Sequence, residues 1–488
     1  MKHINIKKGL SLSLMLLLFF STITLTTSAF GVDDIDPLVD VKVTFQVDRI
    51  RVFERIDLVG EPDLYVKVFI NDDEFESPVW MNQKTVEDPG WYVTSNVPDD
   101  EECVKIVVQL WDWNFIFPDK TCDLSESSSS HEVTLFYNIK NGHWTGDDRR
   151  GDASGYGRLN GCDDGSHYKN DRDCEMWFTI SQNDYDNDGI PYWEEEHIIS
   201  TDPYVYDSDI DHDDDGIPTI WEYKWGYNPK KWDDHESLDP DVDGIENNEE
   251  YFLSEWVRSD PYRKDLFVEL DYMGEGPNGE TTIFPEGSKE LLRDAYHKHN
   301  WMYHLDEGQI GPEDEPGGGE IIPFDNETDD RETNQIIDDY YFHNDPDNWR
   351  RGVFHYGVFL YRYHAVGGCA LRTYAYQISS SWLSEKIIPK TDRKRDIVFA
   401  SAYMHECGHT LGVFHFNTPG CDDQKGKYPW QKDFWIWRPY RSVMNYGYMY
   451  KIVDYSDGSR GQNDFNDWER MDFTHFQRTD FWLSLIHI

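Results

Sequence analysis

The sequence has few basic residues for its length. Only 45 Lys and Arg accompany 94 Asp and Glu among 488 residues, which gives a formal net charge of −49. A chain this acidic repels phosphate backbones, so we expect no nucleic-acid partner. The charge suits calcium binding, an acidic solvated surface or a salty habitat, and composition alone does not separate these alternatives.

Long apolar runs are also scarce. After the first thirty residues, no segment is long and apolar enough to span a bilayer. The chain begins with Lys2, Lys7 and Lys8, then an apolar run, then a small-residue site at Thr27-Ser28-Ala29. This order predicts a secretory signal peptide over residues 1–29 and a secreted or cell-surface protein. Membrane contact is expected only in the alternative case, in which the segment stays uncleaved as an anchor.

There are only seven cysteines. Export permits disulfides, and closeness in sequence suggests that Cys103 pairs with Cys122 and Cys162 with Cys174. A third bond between Cys369 and Cys421 would leave Cys407 as a free, buried thiol. The sequence does not fix these pairings.

Residues 37–180 alternate between apolar and polar side chains, as in VKVTFQVDRIRVF and VKIVVQLWDW. Such alternation, interrupted by Asp, Pro, Gly and Asn, predicts an antiparallel β-sandwich. The pair DLYVKV and QLWDWN resembles the strand ends of C2-type sandwiches, in which acidic loops hold calcium. The corresponding residues are Asp63, Asp112, Asn114 and Asp119. This acidic set is incomplete, so a plain sandwich with polar loops is the favoured alternative.

Residues 181–262 contain a threefold repeat: DYDNDGIPYWEE, DHDDDGIPTIWE and DPDVDGIENNEE. Acids at positions one, three and five, glycine at six and glutamate at twelve match the spacing of a calcium loop. The predicted Ca²⁺ ligands are Asp184, Asp186, Asp188 and Glu195, then Asp211, Asp213, Asp215 and Glu222, then Asp239, Asp241, Asp243 and Glu250. With the linking DPY segments, the array resembles thrombospondin type-3 calcium repeats more than paired EF-hand helices.

The stretch MHECGHTLGVFH contains three histidines, one glutamate and one glycine. On a helix, His405 and His409 share a face, and Glu406 lies about 100° further round. Gly412 can adopt the left-handed conformation that ends a helix, so that the chain turns back and delivers His415. Three imidazoles with one position left for water are the arrangement of a catalytic Zn²⁺ site.

The pattern His-Glu-x-x-His-x-x-Gly-x-x-His resembles that of the metzincin metallopeptidases, and the tail DFTHFQR is similar to that of the pappalysin-like branch. The resemblance covers residues 264–488 and implies an α/β catalytic domain. In RSVMNYGY, Met444 corresponds to the methionine beneath the zinc. Tyr446 corresponds to a tyrosine that in some branches moves towards the metal. The stretch LRTYAYQISS alternates as an edge strand does.

The sequence therefore predicts a multidomain protein: an all-β sandwich, then calcium-loop repeats, then an α/β metzincin-like domain. We expect a secreted zinc endopeptidase in which Glu406 is the general base. Its partner would be a protein or peptide substrate bound in extended form along an edge strand. The alternative is a calcium-dependent surface or adhesion protein whose protease-like domain is an inactive scaffold. The complete set of histidines, glutamate, glycine and methionine favours the enzyme.

Overall fold

The computed structural model describes residues 41–57, 59–98, 101–312 and 317–477. The predicted signal peptide lies outside these residues, as do the outer ends of the first and last predicted domains. Within the described residues, no helix is long and apolar enough to cross a membrane.

The first part of the chain is a sandwich of two antiparallel sheets, which confirms the predicted β-sandwich. One sheet has the order β4-β1-β10-β9 and the other the order β3-β2-β5-β7-β8, with β6 beside β5. Alternate residues of β1, such as Val43, Phe45 and Val47, are buried between the sheets. The strands are β1 (Lys42–Val52), β2 (Leu64–Ile70), β3 (Asp73–Glu76), β4 (Thr85–Asn96), β5 (Cys103–Asp112), β6 (Lys120–Cys122), β7 (Val133–Asn138), β8 (Trp144–Gly146), β9 (Arg158–Asn160) and β10 (Cys174–Gln182).

The repeat segment consists of three loops, each followed by a short helix. These are α1 (Tyr192–Glu194, continued as a wider turn over Glu195–Ile199), α2 (Thr219–Trp225) and α3 (Asn247–Leu253). Its apolar side chains are shared with its neighbours. Ile217 and Trp221 join the core of the sandwich, whereas Ile245 and Leu253 join the core of the C-terminal part. The segment therefore packs between the sandwich and the C-terminal part and has little core of its own.

The C-terminal part is built on a mixed sheet with the order β12-β11-β14-β16-β15, in which only β15 among these strands runs antiparallel to its neighbour. The strands are β11 (Asp265–Met273), β12 (Met302–Asp306), β13 (Ile321–Ile322, beside β11), β14 (Phe354–Leu360), β15 (Gly368–Ala370) and β16 (Ala375–Ser379). The helices are α4 (Glu286–His297), α5 (Asp330–Ile336, continued over Ile337–Tyr341), α6 (Ser380–Lys386), α7 (Asp392–Thr410), α8 (Lys432–Ile436) and α9 (Asp467–Arg470).

The outermost strands of this sheet are β12 and β15, which corrects the expectation from LRTYAYQISS. The alternating residues form β16, whose five residues are all buried between β14 and β15. Alternation does not mark an edge here, because the polar Gln377 and Ser379 are buried as well.

Helix α7 ends as the glycine pattern predicts. Gly412 has a φ of +83°, and the Val413 amide donates to the Gly408 carbonyl at 3.0 Å. This bond closes the last turn and reverses the chain.

The sandwich packs directly against α4 through buried charges. Glu175 on β10 accepts bonds from Arg158 Nη2 at 2.6 Å and lies 3.4 Å from Arg51 Nε. On the other side, its carboxylate is 3.0 Å from His297 Nδ1. Arg158 also donates to the His297 carbonyl at 3.0 Å. The glutamate is the anion that lets Arg158 be buried at this contact, whereas Arg51 also pairs with Glu290 and Asp294.

The cysteines are arranged differently from the pairs suggested by sequence. All seven are thiols. On β5, Cys103 is opposite Asn138 while Leu110 is opposite Cys122. At about 3.3 Å per residue, Cys103 is therefore roughly 23 Å from Cys122 along the strand, far beyond the ~7 Å that a disulfide spans. The thiol of Cys122 instead contacts that of Cys174 on the other sheet.

We predict that Glu175→Gln destabilises the protein by about 3–5 kcal/mol, because it leaves the buried guanidinium of Arg158 without its anion, whereas Arg51 keeps Glu290 and Asp294. Urea unfolding at pH 7 followed by tryptophan fluorescence measures this. The matched control is Glu87→Gln, which removes the exposed partner of Arg49 and should cost about 1 kcal/mol or less. Equal shifts in the two variants would contradict the assignment.

Candidate metal centres

His405 and His409 lie on one face of α7 and are fully buried. His405 Nδ1 is 2.9 Å from the Val443 carbonyl, and His409 Nδ1 is 2.7 Å from the Val413 carbonyl. A carbonyl only accepts, so each Nδ1 carries the proton and each Nε2 keeps its lone pair. Backbone carbonyls commonly orient metal-ligating histidines in this way.

Asp422 is the carboxylate that faces both imidazoles. Its Oδ1 lies 3.2 Å from His405 Nε2 and 3.7 Å from His409 Nε2. The Asp422 amide donates to the Met444 carbonyl at 3.1 Å, which fixes the loop against the methionine turn. Sequence reasoning missed this residue, because nothing in the local pattern of a loop aspartate indicates that the chain returns it to the helix.

The buried atoms at this centre fit a cation. Within the described residues, His405 Nε2, His409 Nε2, Asp422 Oδ1 and both carboxylate oxygens of Glu406 have no hydrogen-bond partner. Unpartnered buried polar atoms are rare and unfavourable. Two imidazole nitrogens and a carboxylate oxygen at these spacings match the donor set of zinc, whose bonds to such atoms are about 2.0–2.2 Å.

Glu406 lies beside this donor set and against the edge strand. A Cβ atom added at Gly368 would lie 2.6 Å from Glu406 Oε1, so only glycine allows β15 to pass this close to the carboxylate. Burial raises the pKa of Glu406 to about 8. A bound cation would oppose this shift by favouring the charged form.

Met444 packs beneath the helix that carries the candidate zinc donors, and Tyr446 packs beside His405. A Cβ atom added at Gly408 would lie 2.7 Å from the Met444 sulfur, which shows how closely the turn packs under α7. The Tyr446 ring stacks on that of His405 with centroids 5.7 Å apart. Its hydroxyl is buried and lacks a hydrogen-bond partner. Burial, followed by the charge of Asp422, raises the pKa of Tyr446.

His415 lies on the wall of a cavity of about 550 Å³ beside these residues. It is exposed, and it is near enough for its charge to lower the pKa of His409, after the larger effect of burial. The cavity is also lined by Asp422, Asp433 and Trp437. It is a concave space next to the candidate zinc donors, with acidic and aromatic walls.

In the first two repeat loops, carboxylates lie close together as their spacing predicts. In the first loop, oxygens of Asp184, Asp186, Asp188 and Glu195 lie within 4.8 Å of one another. In the second loop, the oxygens of Asp211, Asp213 and Asp215 do the same. Burial and the neighbouring aspartates raise the pKa of Glu195 to about 8.

Many of these oxygens lack partners. The buried carboxylate oxygens without a hydrogen bond include Asp186 Oδ2, Asp188 Oδ2, Glu195 Oε2, both of Asp213, both of Glu222, Asp241 Oδ2 and both of Glu250. Such groups are stable in a folded protein only when protonated or when they coordinate a cation. The first acid of each loop, by contrast, has a partner. Asp184, Asp211 and Asp239 each accept a hydrogen bond from the amide of their loop glycine at 2.8–3.0 Å.

The second and third loops have additional neighbours that the sequence did not indicate. His235 is buried, with its Nε2 3.3 Å from Asp215 Oδ2. In the third loop, Asp243 accepts the amide of Asp265 at 2.7 Å. Lys264 Nζ donates to the carbonyl of Asp241 at 2.7 Å. The third loop is thus bonded to the first strand of the C-terminal sheet.

The C2-like positions in the sandwich already contain a cation from the chain itself. Lys120 Nζ lies 3.0 Å from Asp112 Oδ2 and 2.8 Å from Asp57 Oδ1. Asp119 accepts bonds from Tyr65 Oη and the Asn114 amide. An ammonium group in this place leaves no unpartnered oxygen on Asp112, so these positions offer no ready calcium site.

No known protein family matches the chain, and no curated protein matches it. Among solved structures, "Structure of a C2 domain" is 13% identical over 29% of this chain and 98% of its own, with a TM-score of 0.19. A C2-type domain of plant Extended Synaptotagmin 1 is 14% identical over 29% and 94%, with a TM-score of 0.20. Human GIVD cytosolic phospholipase A2 is 12% identical over 29% and 16%, with a TM-score of 0.19. Likenesses this low carry no argument about function.

We predict that a calcium-selective chelator unfolds the repeat segment, because its unpartnered carboxylates then repel one another without a cation. Limited trypsin digestion with and without chelator measures this, and new cuts are expected at Lys224, Lys230 and Lys231. Readdition of Ca²⁺ in excess should restore protection. An unchanged digestion pattern after calcium removal would show that the loops are solvated acidic turns.

Proposed function

We propose that this protein is a zinc endopeptidase whose catalytic part is supported by a calcium-binding repeat segment. One observation carries the proposal: the unpartnered nitrogens of His405 and His409 and the unpartnered oxygen of Asp422 converge at one buried point, and the buried carboxylate of Glu406 lies near enough to interact with His405 and Asp422. Donors of this kind hold zinc, with a glutamate beside the metal as base.

His405 and His409 would hold the ion, with Asp422 as a third donor and His415, from the predicted motif, as the remaining candidate. A bound zinc ion supplies a Lewis acid and lowers the pKa of a coordinated water to about 7. Glu406 lies beside this place, so its carboxylate takes the proton of the attacking water and passes it to the leaving amine.

The edge strand β15 supports the choice of a peptide as substrate. Its three residues are buried, but among the described residues only one of its sides pairs with another strand. An extended chain would pair with the other side by backbone hydrogen bonds. Gly368 brings this edge against Glu406, so a peptide that pairs with β15 passes the carboxylate. The cavity beside His415 then lies within reach of a substrate side chain. Tyr446, whose hydroxyl is buried beside His405, would donate to a developing oxyanion.

We predict that Glu406→Gln keeps the metal and loses nearly all peptidase activity, because the amide cannot accept the water's proton. His409→Ala should lose both metal and activity. Zinc content by mass spectrometry and cleavage of an unbiased peptide library measure the two effects. If Glu406→Gln turned over near the wild-type rate, or if it lost its zinc, the assignment of Glu406 as the base would be wrong. A wild-type protein that cleaves no peptide of the library would instead favour the adhesion scaffold of the alternative hypothesis.

We predict that Asp422→Ala weakens zinc binding by about 10-fold or more, because a carboxylate within ion-pair distance of both imidazoles is lost. Competition with a chromogenic zinc chelator measures the change. Asp423→Ala is the matched control, since Asp423 lines the same cavity without facing the imidazoles. The variant His415→Ala, measured in parallel, gives the contribution of the motif's third histidine to zinc affinity. Wild-type zinc affinity in Asp422→Ala would exclude the residue from the donor set.

A further inference from the structure

A second group of acids lies in the sandwich, away from both sets of metal donors described above. Its members come from the residue after β6 and from the segment between β9 and β10. Asp123 is fully buried; its Oδ1 accepts the Ser125 amide at 2.9 Å, and its Oδ2 has no hydrogen-bond partner. Oδ1 of Asp164 is likewise buried and unpartnered.

His131 faces the same point. Its Nε2 lies 3.4 Å from Asp171 Oδ1 and 4.0 Å from Asp123 Oδ2. Its Nδ1 is 2.9 Å from the hydroxyl of Thr121. A hydroxyl can accept a hydrogen bond from Nδ1–H, which leaves Nε2 with its lone pair towards the two carboxylates. One atom each from Asp123, His131 and Asp171 lies within 4.8 Å of the other two.

The basic side chain next in sequence is directed elsewhere. Arg172 Nε donates to the Thr121 carbonyl at 2.6 Å. Asp173 is also buried, but its oxygens accept from Ser166 Oγ and Cys162 Sγ. This arrangement contrasts with the C2-like positions, where Lys120 supplies the positive charge. Burial, followed by the charges of Asp173, Asp164 and Asp171, raises the pKa of Asp123 to about 7.

We propose that Asp123, His131 and Asp171, with Asp164 beside them, bind a divalent metal ion. The unpartnered buried oxygen of Asp123 marks the position of the ion. A shell of carboxylates and one imidazole suits manganese or zinc better than calcium, which takes oxygen ligands. Because β6 belongs to one sheet and β10 to the other, the ion would join the two sheets of the sandwich at this end.

The test uses the full chain, stripped of metal and dialysed separately against Mn²⁺, Zn²⁺ or Ca²⁺. Metal content by mass spectrometry gives the number of ions per chain. We expect Asp123→Asn and His131→Ala to bind one ion fewer than the wild type in the Mn²⁺ or Zn²⁺ series. We also expect the rise in Tm that this metal causes to be smaller in both variants. Asp72→Asn, at an exposed turn, is the matched control and should bind as the wild type does.

His131 is partly exposed, with 26% of its side chain accessible, so His131→Ala keeps the test valid if Asp123→Asn fails to fold. A deficit in the Ca²⁺ series alone would overturn the metal class. Equal ion counts in the wild type and His131→Ala with all three metals would overturn the site. The His405 centre does not enter this comparison, because all of these variants retain it.

Discussion

A carboxylate buried without a positive charge is among the least favourable groups in a protein interior, and this chain buries many of them. In some places the chain supplies the cation itself. Lys120 lies between Asp57 and Asp112, and Arg158 binds Glu175. In the repeat loops, beside His405 and around Asp123, buried oxygens face one another without such a partner. Under the proposals above, cations from solution neutralise these groups, and the net charge of −49 reflects the number of such carboxylates.

The proposed calcium and zinc sites lie in connected parts of the structure. Ile245 of the third loop lies in the core beneath the sheet that carries β15. The same loop accepts a bond from Lys264 and donates no side chain to the zinc centre. Calcium would thus order the start of β11, and zinc would order α7 and the methionine turn. Both requirements meet in one sheet, so loss of calcium is expected to loosen the edge at which a peptide would bind.

Local patterns predicted much of this arrangement. The spacing of His405 and His409 fixes their common helix face, and Gly412 fixes the end of the helix, since both depend only on neighbouring residues. The positions of the acids in the repeat loops are predictable for the same reason, because each loop is formed by consecutive residues. The β-sandwich followed from alternation along its strands. These features are set by the geometry of a single element.

Long-range placement was not predictable in the same way. Asp422, Lys120 and the contact of Cys122 with Cys174 depend on how distant segments return to one another, and no local periodicity records this. The edge strand was misplaced for a related reason. Tyr376 and Gln377 in β16 alternate in polarity, yet both are buried, because α7 and its loops cover a strand that would otherwise be exposed.

Because the sandwich contacts α4 directly, the first and last parts of the chain touch each other as well as the repeat segment between them. The repeat segment leaves the sandwich at the end of β10, reaches the C-terminal sheet at β11, and the two outer parts then meet again through Glu175 and His297. An open array of repeats can gain or lose a unit and remain functional. Here the closing contact fixes the span, so the number of repeats cannot drift in evolution without the loss of that contact. Insertions should accumulate in surface loops, and the three-loop count should be inherited with the C-terminal part as one unit.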